Sequence, residues 1–165
     1  MIITIVLFAL SAATMPTNTS LTTASLCQAD SIAADFLFLI DGSSSMCAYN
    51  LQFATNFSLL IDQISDKNID ARFSVVAFGG TPSIILPFSA DVATAKIALS
   101  SVNCSRSGWE AGLEAIRMTL QNSGADMDKS MCMTSNSATC ILEWRNNATR
   151  QIIMATDEDS DIPTN

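Results

Sequence analysis

A chain of 165 residues with 48% apolar side chains and a mean hydropathy of +0.32 is long and apolar enough to bury one core, which excludes wholesale disorder. Its 16 acidic and 8 basic residues leave a formal net charge of -8, a field that repels phosphate backbones and anionic lipid, so nucleic acid is not an expected partner. Histidine is absent, and with it the ordinary base of a Ser-His-Asp triad.

The first ten residues, Met1 to Leu10, form an apolar stretch too short to span a bilayer, and small residues from Ser11 to Thr14 follow. This is the pattern of a signal peptide over residues 1–14, although its basic n-region is missing. Residues 15–30 are rich in Thr and Ser and read as a polar lead-in, with the folded domain expected over 31–165. Export is also suggested by four Asn-x-Ser/Thr sequons, at Asn18, Asn56, Asn103 and Asn147. In an oxidising compartment the five cysteines should mostly pair.

Phe36 to Ile40 is a continuous apolar run of strand length, as in a central strand covered on both faces. Phe53, Phe57, Leu60, Ile61 and Ile64 then recur at helical spacing, with Asp62 on the opposite face. Arg72 to Phe78 and Ser83 to Phe88 read as strands joined by a Gly79-Gly80 turn into a hairpin, and Pro87 places the second at a sheet edge. Asp91 is positioned to cap a helix through Ala95, Ile97 and Leu99. Trp109, Gly112, Leu113, Ile116 and Leu120 mark a further amphipathic helix, with Glu110, Glu114 and Arg117 outside; Trp109 and Met118 are most simply packing residues. From Asn122 to Arg150 the pattern dissolves into a polar stretch, read as an insertion, and Gln151 to Thr156 is the last strand.

Strands alternating with helices predict an α/β domain, doubly wound, with a mostly parallel sheet and an antiparallel edge strand. Ligands of such sheets bind beyond the carboxyl ends of the strands. Two of these strands deliver acids there, Asp41 and Asp157. Asp41-Gly-Ser43-Ser-Ser45 adds hydroxyls, and Ser107 lies in the turn before the Trp109 helix. Such oxygen donors suit a hard divalent cation. In isolation, Asp-Gly-Ser-Ser-Ser is an ordinary turn sequence, and Glu158, Asp159 and Asp161 read as a solvated acidic loop.

The run Phe36-Leu-Phe-Leu-Ile-Asp41-Gly-Ser43-Ser-Ser45-Met46 resembles the strand and Asp-x-Ser-x-Ser loop of the von Willebrand factor type A domain and its metal-ion-dependent adhesion site. Ser107-Gly-Trp-Glu-Ala-Gly-Leu113 is similar to that family's second loop, with Ser in place of the usual Thr, and Ile152-Ile-Met-Ala-Thr-Asp157 to its third. The three occur in the family's order, from about Asp35 to Asp161. The resemblance implies that Ser43, Ser45 and Ser107 ligate the ion, with Asp41 and Asp157 acting mostly through waters and hydrogen bonds. It further implies Mg²⁺ (or Mn²⁺ or Ca²⁺), an open coordination position, and an extracellular adhesion role toward a protein ligand that presents an acidic side chain. Measured against the family's pattern, the C-terminal strands and helices are expected to lie beyond Asn165.

Two other classes of function compete. A structural adhesion domain without metal is the first, although all five site positions carry suitable oxygens. A metal-dependent phosphotransferase or hydrolase is the second, and it lacks Gly-x-Ser-x-Gly, a Ser-x-x-Lys near these serines, a second Asp two residues after Asp41, and a P-loop. Binding rather than catalysis is therefore expected. Among the cysteines, Cys132 and Cys140 are expected to pair within the insertion. Cys47 and Cys104 lie in loops at the expected site edge and form a candidate second pair, leaving Cys27 for a distal partner.

Overall fold

A computed structural model describes residues 4–10 (backbone only), 31–80, 82–105, 112–121 and 142–157 of the chain. The elements are β1 (Thr4–Leu10), β2 (Ile32–Asp41), α1 (Asn50–Ser65), β3 (Ile69–Phe78), β4 (Ser83–Ser89), α2 (Val92–Ser100), α3 (Gly112–Gln121) and β5 (Thr149–Thr156), with a 3₁₀ turn at Ser45–Ala48. The strands form one sheet in the order β1-β5-β2-β3-β4. β2 is central and parallel to both β3 and β5, while β4 is antiparallel on one edge and β1 antiparallel on the other. The expected doubly wound α/β architecture is thus observed.

Strict alternation along the three parallel strands splits their side chains between two cores. Phe38, Val75 and Ile153 share a row facing α1 and α2, where Phe57, Ile61, Ala95 and Leu99 cover them. Leu39, Val76 and Met154 form the neighbouring row on the opposite face, under α3, Leu142 and Trp144. The apolar run in β2 is therefore covered on both faces, as its lack of alternation predicted.

The hairpin of β3 and β4 turns through Gly79 and Gly80, whose φ values of 109° and 103° lie where a side chain is strained. Pro87 stands on the edge strand, where its missing N–H removes no ladder bond. Asp91 caps α2, its carboxylate accepting from the N–H groups of Ala93 and Thr94. α1 buries Phe53, Phe57, Ile61 and Ile64 as its spacing predicted, and Asp62 at its margin pairs with Lys96 of α2.

The helix expected through Ala95, Ile97 and Leu99 is observed as α2; Ala95, Ala98 and Leu99 form its buried stripe and Ile97 is exposed. Two expectations need correction. Leu113 is 53% exposed, since α3 meets the sheet through the small residues Gly112, Ala115 and Thr119 instead. The stretch before β5 is not wholly polar insertion: Leu142 and Trp144 are buried, and the Trp144 indole N–H donates to the Thr119 carbonyl at 3.4 Å.

The segment expected as a leader lies along β5 as β1, from Thr4 opposite Thr156 to Leu10 opposite Arg150. Among the described residues, no helix is long and apolar enough to cross a membrane.

Beneath β2, Asp35 is wholly buried and receives Arg72 through Nε (3.0 Å) and Nη2 (2.8 Å). It also accepts from the Arg145 N–H (2.8 Å) and Nε (2.9 Å), and Arg145 continues to Asp70 at 2.6 Å. Burial is the largest single influence on Asp35 and pushes its pKa up. The hydrogen bonds from Arg72 and Arg145 and their two positive charges together outweigh it, holding the carboxyl below its ordinary value.

Candidate metal-binding site

β2 and β5 run side by side and parallel, with Ile40 opposite Ala155. Their next residues, Asp41 and Thr156, therefore leave the sheet as neighbours, and Asp157 follows at once. The predicted meeting of Asp41 and Asp157 at one sheet edge is observed.

Asp41 is fully buried. One carboxylate oxygen accepts from the backbone N–H of Ser43 at 2.8 Å, and the other from the Thr156 hydroxyl at 2.7 Å. Its role is thus internal: it bends the loop back on itself and ties it to β5. Gly42 donates its N–H to the Phe78 carbonyl at 2.8 Å, which fixes the same loop to the end of β3. Met46, with no exposed surface, pins the following 3₁₀ turn into the core.

Held in this way, the Ser43 and Ser45 hydroxyl oxygens lie 2.9 Å apart. Ser45 donates to the Asp157 carboxylate at 3.1 Å. Each hydroxyl carries one proton, so the Ser43 proton points to Ser45 and the Ser45 proton to Asp157. Ser43 is 2% exposed while Ser45 is exposed, so the pair leads from the interior to the surface.

Ser107 lies outside the described residues, but the stem of its loop does not. Cys104 is joined to Cys47, the third residue of the 3₁₀ turn, with their α-carbons 5.1 Å apart. This is the candidate pair of the sequence reading, and it brings the second loop's approach beside the first. Cys27, Cys132 and Cys140, Trp109, Glu110, and the acidic residues Glu158, Asp159 and Asp161 also lie outside the described residues.

The donor chemistry fits a hard cation: the converging atoms are two hydroxyls and a carboxylate, with no sulfur or imidazole among them. Among the described residues, no three His, Cys, Asp or Glu side chains converge. Sequence reasoning missed Thr156. Its signal lay in its place directly before Asp157, but its partner is visible only once the register of β5 on β2 is known.

The family model described as "von Willebrand factor type A domain" matches residues 36–159, a span that contains all five candidate site residues. Among solved structures, the chain is similar to the vWF domain of the type V pili tip protein Mfa5 from Porphyromonas gingivalis, at 19% identity and a TM-score of 0.45, covering 53% of this chain and 32% of that one. It is also similar to the conserved hypothetical protein BatB from Bacteroides thetaiotaomicron, at 23% identity and a TM-score of 0.46, covering 56% and 48%. For proximal thread matrix protein 1 from the mussel byssus the values are 27%, 0.42, 53% and 25%. The chain thus spans less than half the length of each of these solved chains. No curated protein matches it. From the family match across most of its length, the chain belongs to the von Willebrand factor type A domain family.

Proposed function

We propose that the chain is an extracellular, cation-dependent protein-binding module. Domains of this family generally act as non-enzymatic protein-interaction modules, and the finer reading rests on one observation: Ser43, Ser45 and Asp157 converge at the carboxyl ends of β2 and β5, behind a buried Asp41. Ser43, Ser45 and Ser107 would hold a divalent ion such as Mg²⁺ or Mn²⁺, supported by Asp41 and Asp157. When bound, the ion supplies a Lewis-acidic position that attracts a carboxylate presented by a protein partner. Neutral hydroxyl ligands leave more of the ion's charge uncompensated than three carboxylates would, which favours an acidic partner.

An extracellular setting is supported by the Cys47–Cys104 disulfide and by sequons whose asparagines Asn56, Asn103 and Asn147 are all exposed. The test is calorimetric titration of the full-length protein with Mn²⁺ and Mg²⁺ alone. Saturable binding that disappears in the Ser43→Ala, Ser45→Ala double variant is expected. Absence of saturable binding, or equal binding by the double variant, overturns the metal-bridged reading.

A further inference from the structure

We propose that Thr156 is a positioning residue for the cation site: its hydroxyl orients the Asp41 carboxylate, which in turn sets the Ser43–Ser45 loop. The inference rests on the metal-binding reading above and extends it to Thr156, a residue to which that reading gives no role.

The Thr156 side chain is 3% exposed, in the last position of β5. A buried threonine at a strand end can satisfy its hydroxyl locally on its own backbone. Here it crosses to the neighbouring strand and donates to Asp41 at 2.7 Å, a short bond of the charge-assisted kind. The other Asp41 oxygen is committed to the Ser43 N–H at 2.8 Å. These two bonds define the plane of a carboxylate that has no exposure to water. Rotation of that plane would break the Ser43 bond, and Ser43 is the residue whose hydroxyl leads to Ser45 and on to Asp157.

Thr156 and Asp157 therefore grip the loop at two points. Asp157 reaches its exposed end through Ser45, and Thr156 reaches its buried start through Asp41. A valine at position 156 would keep the shape and the β-branched strand preference and would lose the hydroxyl that donates to Asp41. Asp41 would then be left with a buried oxygen lacking that partner, free to turn away from Ser43.

The experiment is calorimetric titration of Mn²⁺ into the full-length protein and its Thr156→Val and Thr156→Ser variants, with thermal unfolding of each in chelator. Thr156→Val should weaken Mn²⁺ binding by roughly 10-fold, the lower end of the range for lost outer support of metal ligands, and Thr156→Ser should stay within about 3-fold of the parent. A merely structural role would lower the unfolding temperature of Thr156→Val in chelator without moving the Mn²⁺ affinity of the folded protein. Parent-like affinity in a folded Thr156→Val variant therefore overturns the proposal. Should the valine variant not fold, a folded Thr156→Ser variant that loses 10-fold overturns it, and one that keeps parent affinity while Thr156→Ala loses it supports it. If the parent itself binds no Mn²⁺, the underlying metal-site reading fails, and this inference falls with it.

Discussion

Cys47 and Cys104, 57 residues apart in sequence, are covalently joined at the rim of the site. The bridge ties the turn that carries Ser45 to the stem of the loop that carries Ser107, so it spans two of the three loops expected to share an ion. Closing a loop of this length should stabilise the fold by about 2–4 kcal/mol, mainly by restricting the unfolded chain. The Cys47→Ala, Cys104→Ala double variant is expected to lose that amount in denaturant titration. Its Mn²⁺ affinity should fall as well, because the described stem at Cys104 would no longer be tied to the turn that carries Ser45. Unchanged stability in the double variant would show that the bridge constrains little.

The Asp35 cluster makes a prediction about acid. Its carboxyl is held below its ordinary value when folded, so the stability it contributes is fully present above the unfolded pKa of about 4 and is lost as pH falls through the lower folded value. Asp35→Asn removes one partner from a buried ion cluster and leaves Arg72 and Arg145 facing each other, which should cost about 3 kcal/mol at pH 7. Because the asparagine does not titrate, the gap between parent and variant should narrow as pH falls below about 4. Denaturant unfolding at pH 7, 4 and 3 measures this, and a gap that widens toward pH 3 would contradict the assignment.

What could be read from the sequence, and what could not, divides by range. Pro87 at an edge, Asp91 at a cap and Phe53 to Ile64 on one helical face are local rules, and each holds in the structure. The three loop motifs placed Asp41 and Asp157 together because parallel strands must end on the same side. Asp35 gave no such signal: it sits at the head of an apolar run, and its partners lie 37 and 110 residues away. Leu142 and Trp144 were obscured by the polar stretch before them, although their apolar-polar-apolar spacing is the trace of an extended segment packed on one face.

Gly112 tests how closely α3 must approach the sheet. A β-carbon there would meet the Met154 Sδ at 2.8 Å and the Phe78 ring at 3.6 Å. The methionine end is flexible, so Gly112→Ala should cost about 1 kcal/mol, whereas the branched Gly112→Val should cost about 3 kcal/mol through overpacking. Thermal unfolding of the two variants checks the order. A Gly112→Val variant as stable as the parent would mean that α3 shifts freely on β5.

The last prediction separates charge from geometry at Asp41. Both its oxygens accept hydrogen bonds inside the protein, so its negative charge has no route to solvent and acts on the site through the hydroxyls it orients and the field it exerts. Asp41→Asn keeps the shape: the amide oxygen can still accept from the Ser43 N–H, and the Thr156 hydroxyl can rotate to accept from the amide NH₂. Asp41→Ala removes both anchors and leaves the Ser43 N–H buried without its acceptor, at a cost of about 1–3 kcal/mol. The asparagine variant should therefore stay close to the parent in denaturant stability yet bind Mn²⁺ at least about 10-fold more weakly, since the compensating charge behind the ligands is gone. The alanine variant should lose both stability and affinity. If Asp41→Asn bound Mn²⁺ as the parent does, the buried charge would be irrelevant to the ion, and Asp41 would serve the loop's shape alone.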